Sequence, residues 1–101
     1  METTVADRPE RHRFEILADG EVAGFAAYRL RGEELTLTHT EIDGAYEGKG
    51  LGSVLARHTL DAARGRGLSV RPACPFIRSW IARHPDYVDL VPAAARPEYD
   101  L

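Results

Sequence analysis

Glu47-Gly48-Lys49-Gly50-Leu51-Gly52-Ser53 sets three alternate glycines between a strand pattern and an amphipathic helix pattern. Without Cβ atoms in the way, consecutive backbone N–H groups can turn toward one point. The helix that follows adds its unpaired first-turn N–H groups and the positive end of its dipole. Such a stretch reads as a cradle for an anion, and a pyrophosphate fits it best.

On the N-terminal side, Arg13–Ala18 reads as a strand, Asp19-Gly20 as a two-residue hairpin turn and Glu21–Arg31 as its partner strand. In the partner, Val22, Ala26, Tyr28 and Leu30 alternate with Ala23, Phe25 and Ala27, so both faces are at least partly covered. Gly32-Glu33 turns the chain into a third strand, Glu34–Ile42, and Asp43-Gly44 ends it. The pattern is an antiparallel meander.

On the C-terminal side, Gly50–Arg64 has helical periodicity with Leu51, Val54, Leu55, His58 and Ala62 on one stripe. Gly65-Arg66-Gly67 stops it, Leu68–Arg71 reads as a short strand, and Pro75–Arg83 as a second helix ended by His84-Pro85. Tyr87–Val91 reads as a last short strand. Residues 1–12 form a charged arm and residues 92–101 a Pro/Ala tail, both expected to be flexible around a single domain spanning 1–101. The expected class is α+β, with a mixed, mostly antiparallel sheet and two main helices layered on it.

A chain of 101 residues with net charge −3 has one core and no basic field for nucleic acid. No apolar run approaches the roughly 20 residues of a membrane helix. With no signal-peptide pattern at the start and one cysteine, Cys74, the expected setting is the reducing cytoplasm. No metal ion is expected.

Two familiar glycine motifs fail. In a nucleotide-triphosphate P-loop, G-x-x-x-x-G-K-[ST], the interval Gly44–Gly48 is one residue short and Gly50 stands where the metal-binding hydroxyl belongs. A dinucleotide fingerprint requires G-x-G-x-x-G within a parallel βαβ unit, and this is G-x-G-x-G after a meander.

The order of strand pair, third strand, glycine loop, helix, strand and Cys-Pro-opened helix resembles the GNAT superfamily of N-acetyltransferases. Its signature [Q/R]-x-x-G-x-[G/A] matches Glu47-Gly48-Lys49-Gly50-Leu51-Gly52 except at the first position. The segments Leu37-Thr38-His39-Thr40-Glu41 and Pro72-Ala73-Cys74-Pro75-Phe76 are similar to a small stand-alone branch of about this length. The resemblance spans Phe14 to Val91.

It implies a GNAT-like fold and acetyl-CoA as cosubstrate, its pyrophosphate held by Gly48, Lys49, Gly50, Leu51, Gly52 and Ser53. It also implies transfer of the acetyl group to a primary amine of a protein or small molecule, with the enzyme a monomer or weak homodimer. Three features depart from the family. Glu47 replaces a phosphate-holding Gln or Arg and is expected to point away from the anion; Lys49, equally readable as a plain solvent-facing lysine, and a nearby arginine such as Arg57 are the candidates to supply the charge. Trp80 and Ile81 stand where larger relatives carry an acid tyrosine on the last helix, so that residue is missing, and Tyr87, beyond the helix, is either its substitute or a packing residue. Asp19-Gly20 replaces the helices that build the acceptor side in larger relatives. A CoA- or acyl-CoA-binding module with little or no catalysis is therefore the alternative, and an interaction domain with an empty glycine turn a third reading.

Acetyl transfer needs an unprotonated amine and a route for the thiolate to leave. By the period-two rule Leu35, Leu37, His39 and Glu41 share one face, which makes His39 and Glu41 the candidate bases or, alternatively, surface-paired and half-buried structural groups. Pro75 at a helix start would put Cys74 at the N-cap, where a thiolate is favoured; Cys74 is a candidate nucleophile or else a small buried residue. His58 reads as a core histidine and Tyr87 as a packing residue.

Overall fold

The computed structural model describes all residues, 1–101. Five strands form one sheet in sequence order: β1 (Thr3–Arg8), β2 (Arg13–Ala18), β3 (Glu21–Arg31), β4 (Glu34–Ile42) and β5 (Ser69–Pro72). The first four are antiparallel neighbours and β5 joins β4 in parallel. Helices α1 (Leu51–Gly65) and α2 (Pro75–Arg83) carry the chain across and away from β5. This is the mixed, mostly antiparallel α+β arrangement expected. Asp19 and Gly20 turn the hairpin with φ of 50° and 86°, the mirror-image turn that matches strand twist.

One face of the sheet carries the core. Phe14 and Ile16 of β2, Ala26 and Tyr28 of β3, Leu35 and Leu37 of β4 and Val70 of β5 are buried in a single cluster with Leu55 and Leu60 of α1 and Ile77, Trp80 and Ile81 of α2. The buried stripe of α1 runs through Leu51, Leu55, Thr59 and Ala63, with Ala56 and Leu60 beside it. His58 lies off that stripe and is exposed, contrary to the core reading, because the spacing of four selects Thr59 instead.

Two bulges break the strand alternation. In β3, Gly24 faces Ile16 but Val22 faces Leu17, so Ala23 is the extra residue; it enters the core while Val22 is exposed. In β4, Ala27 faces His39 but Tyr28 faces Leu37, leaving Thr38 unpaired with β3. Beyond Thr38 the inward positions are Thr40, which meets Cys74, and Ile42, which packs on the core. His39 and Glu41 consequently lie on the opposite, uncovered face, and the expectation that they continue the face of Leu35 and Leu37 is overturned by one inserted residue.

Both ends of the chain depart from the flexible arm and tail expected. Thr3–Arg8 pairs with β2 along its length. The phenol of Tyr28 donates to Asp7 at 2.7 Å. Glu15, 1% exposed on the uncovered face, accepts from Arg8, Arg11 and Arg13 at 3.2, 3.1 and 2.8 Å. At the other end, Pro85–Leu90 and Ala93–Tyr99 wind as 3-10 turns, and Tyr87, Val91, Ala95 and Tyr99 are buried. The short strand expected over Tyr87–Val91 is the first of these turns. Apolar spacing of three to four in these segments buries side chains without a ladder.

Burial pushes the Glu15 carboxyl up, and the hydrogen bonds from Arg13, Arg11 and Arg8 outweigh it, holding the group below its ordinary value. A depressed carboxylate stabilises the fold above its unfolded-state pKa, near 4.3, and that contribution disappears as pH falls through the lower folded value. Glu15→Gln is expected to lower stability by about 1–3 kcal/mol at pH 7 in urea unfolding, with the gap to the natural chain closing below about pH 4. An unchanged gap at pH 3 would assign the loss to packing instead of charge.

Candidate active site

The glycine loop begins where β4 ends. Asp43 accepts the Ala45 N–H at 2.9 Å and starts a 3-10 turn over Gly44–Tyr46, after which Glu47 is extended. Gly48 and Gly50 follow with φ of 79° and 74°, the left-handed region, and Leu51 opens α1. Val54 is the first residue of the helix whose N–H reaches a carbonyl, that of Gly50 at 3.4 Å. The N–H groups from Gly48 to Ser53 bond to nothing in the chain. They stand unsatisfied at the positive end of a fifteen-residue helix, which is the chemistry an anion requires.

These groups border a cleft of about 300 Å³ between α1 and α2. Glu47, Gly48, Gly50, Leu51, Gly52 and Ser53 form one wall, and Ile42 and Tyr46 close the sheet side. Phe76, Trp80 and Arg83, spaced four and three apart on α2, form the other. Lys49 is exposed and outside this lining, while Arg57 donates to the Tyr87 phenol at 3.1 Å and lies over the Trp80 ring. Arg83 is therefore the cation on the cleft wall. Sequence reasoning missed it, although its offset of seven from Phe76 could have shown it.

Gly52 brings the backbone of α1 close under the Phe76 ring, and a side chain there would have to displace that ring. A Cβ there would lie 2.8 Å from the Phe76 ring. Trp80, fully buried, donates its indole N–H to Ser53 Oγ at 2.9 Å and so ties α2 to the first turn of α1. His84 stacks on its ring at 3.7 Å, with Nδ1 2.7 Å from the Trp80 carbonyl, and Tyr87 meets it edge-on at 5.1 Å. The Tyr87 phenol donates to Asp61 at 2.7 Å; that bond and burial raise its pKa. It is a committed packing group.

The three candidate catalytic residues do not converge. Cys74 is the N-cap of α2, with Pro75 in the first turn, as the sequence indicates. Its thiol is 3% exposed and donates to Thr40 Oγ1 at 3.3 Å, away from the cleft lining. His39 and Glu41 lie on the other face of the sheet, Nε2 and Oε2 3.6 Å apart and both largely exposed. There Glu41 borders a second cavity of about 250 Å³ with Phe25, Asp43 and Arg13. The His39 ring lies 5.9 Å from that of Phe25, over which Arg13 is stacked. No group of His, Cys, Asp and Glu side chains is arranged to hold a metal ion.

A sequence profile described as GCN5-related N-acetyl-transferase matches residues 13–90. The chain belongs to this family. Among curated proteins, the GCN5-related chain is 43% identical over 63 residues to a streptothricin acetyltransferase of Streptomyces lavendulae, covering 60% of this chain and 33% of that one. It is 31% identical over 68 residues to the [ribosomal protein bS18]-alanine N-acetyltransferase of Escherichia coli K12, covering 66% and 46%. The crystal structure of the E. coli ribosomal-protein-S18-alanine N-acetyltransferase superposes with TM-score 0.56 at 31% identity, covering 62% of this chain and 42% of that one. The solution structure of a GCN5-like protein from Staphylococcus aureus has TM-score 0.67 at 20% identity, covers 88% and 87%, and shares the fold. The chain spans less than half the length of the curated relatives it matches. No helix is long and apolar enough to cross a membrane.

Gly50→Asp tests the loop. Nothing lies within 4 Å of a Cβ at Gly50, and aspartate tolerates the left-handed region, so the melting temperature should fall only slightly, by the equivalent of about 1 kcal/mol. If CoA raises the melting temperature of the natural chain, this variant should abolish the rise, because a carboxylate then occupies the mouth of the N–H row. Retained stabilisation by CoA would move the phosphates elsewhere.

Proposed function

We propose that this chain binds acetyl-CoA in the cleft between α1 and α2 and transfers the acetyl group to a primary amine. The observation that carries the reading is the run of unsatisfied N–H groups from Gly48 to Ser53 on the wall of a cleft whose far side is aromatic. A pyrophosphate satisfies the first, and an apolar, amide-containing arm suits the second. Beyond Leu37 no strand pairs with the outer edge of β4, which leaves backbone groups there for the amides of that arm. Family membership supports the reaction class. Acetyl-CoA brings the activated thioester; binding, orientation and proton removal fall to the chain.

The relatives named for a streptothricin and for a ribosomal-protein alanine favour an amine acceptor, small or on a protein. An incoming ammonium would be attracted to Glu41 and Asp43 on the uncovered face, beside Phe25. Ile42, the residue between those two carboxylates, borders the cofactor cleft. One strand's thickness therefore separates the two cavities, at an edge that β5 leaves open. Glu41 takes the ammonium proton, and His39, 3.6 Å away, relays it to solvent. The freed amine then attacks the thioester carbonyl; as the new C–N bond forms and the C–S bond breaks, the second N–H proton of the amine passes to the departing CoA sulfur, which leaves as the thiol.

Burial of Cys74 and its bond to Thr40 favour direct transfer over an acetyl-cysteine intermediate. One observation supports a second reading, a CoA-binding module with little turnover: the Tyr87 phenol is tied to Asp61 and Arg57, so it is not free to protonate the leaving thiolate.

Acetyl-CoA turnover over an amine panel distinguishes the two. Glu41→Gln is expected to lower kcat/KM by about 10²–10⁴ with the melting temperature unchanged, while Cys74→Ala retains turnover and leaves no acetyl label on the protein. Binding of CoA without turnover of any amine would favour the second reading. Lost turnover in Cys74→Ala, with acetyl label on Cys74 in the natural chain, would establish the covalent route.

A further inference from the structure

We infer that Arg83, at the last turn of α2, is the side chain that clamps the cofactor's pyrophosphate, in place of the residue at position 47. The inference rests on the acetyl-CoA reading of the cleft. Glu47 lies on the loop wall, where its negative charge opposes a phosphate. Compensation has to come from a cation that reaches the same space without already being neutralised. The arginines elsewhere around the core fail the second condition. Arg8, Arg11 and Arg13 are committed to Glu15, Arg64 to Asp89, Arg66 to Asp7 and Arg71 to Glu34. Arg57 is held by the Tyr87 phenol and lies outside the cleft lining. Lys49 fails the first condition, since it too is outside that lining.

Arg83 meets both. It borders the cleft opposite Glu47 and Gly48, and its guanidinium makes neither an ion pair nor a hydrogen bond within the chain. Its position is fixed from behind. Trp80, three residues earlier on the same wall, is anchored to Ser53, and the next residue, His84, stacks on the Trp80 ring and donates its N–H to the Ile81 carbonyl at 2.9 Å. The end of α2 is thereby set against the start of α1, with a planar fork of donors facing a row of backbone donors. A pyrophosphate between them takes hydrogen bonds from both walls, and guanidinium geometry suits paired phosphate oxygens better than an ammonium does.

Titration calorimetry on the full chain tests this with CoA and with dephospho-CoA, which keeps the pyrophosphate and lacks the 3′-phosphate. Arg83→Ala and Arg83→Gln should each weaken both ligands by the same factor, about tenfold to a hundredfold. Arg83→Lys should recover part of the loss. Arg78→Ala, at a half-buried residue of α2 outside the cleft lining, should change neither affinity. Unchanged affinities in both Arg83 variants overturn the inference, and a loss confined to CoA overturns it in favour of a 3′-phosphate contact. Failure of the natural chain to bind either ligand would instead refute the cofactor reading itself.

Discussion

The ladder between β4 and β5 stops at Leu37 and Pro72, because a proline has no N–H with which to continue it. The next amide to reach β4 is that of Cys74, which donates to the Leu37 carbonyl at 2.8 Å while the chain is already turning into α2. From that point β4 runs on to Ile42 with one edge free, and α2 diverges from it. The cleft is the wedge so created. Its mouth is set by the glycine loop leaving the end of β4, and its width by the Trp80–Ser53 hydrogen bond between the helices. The bulge at Thr38 falls just past the same point, so the strand changes face where it loses its partner. Both cavities described above follow from this coincidence.

Much of the architecture was legible because each element carries its own punctuation. Strands β2, β3 and β4 and helix α2 have the limits that Asp19-Gly20, Gly32-Glu33, Asp43-Gly44 and Cys74-Pro75 indicate. The glycine loop was equally legible, since left-handed φ at Gly48 and Gly50 is a demand that few residues other than glycine meet. What could not be read depends on register and on contacts distant in sequence. A bulge inserts one residue with no compositional mark, and it moved His39 and Glu41 to the other side of the sheet. The N-terminal segment reads as a charged arm because Arg8 of β1 and Arg11 of the turn after it are partners of Glu15, a relation visible only once β1 and β2 are side by side. Of the two C-terminal turns, the first reads as a short strand over Tyr87–Val91 and the second as tail, because apolar residues at this spacing, interrupted by prolines, carry no pattern that distinguishes a 3-10 turn.

The uncovered face has an electrostatic character distinct from the cleft. Three arginines there are absorbed by one buried carboxylate, so the face is less basic than its composition suggests. What remains toward the end of β4 is the His39–Glu41 pair, with Asp43 beside it and the Phe25 ring as an apolar floor. Such a surface favours small cations with an apolar body over anions. The cleft on the other side has the opposite preference. Under the proposed acetyl transfer, a thin strand between regions of opposite selectivity would bring a polyanionic donor and a cationic acceptor together while keeping each out of the other's site.

Trp80 is the chain's sole tryptophan, and it lies in the wall of the cleft with its indole N–H on Ser53, His84 against one side and an arginine over its ring. Indole emission responds to the polarity, hydrogen bonding and charge around the ring. The molecule thus carries a built-in optical reporter in the space between its helices. With no second tryptophan to dilute the signal, occupancy of that space can be followed in the unlabelled protein from its own fluorescence.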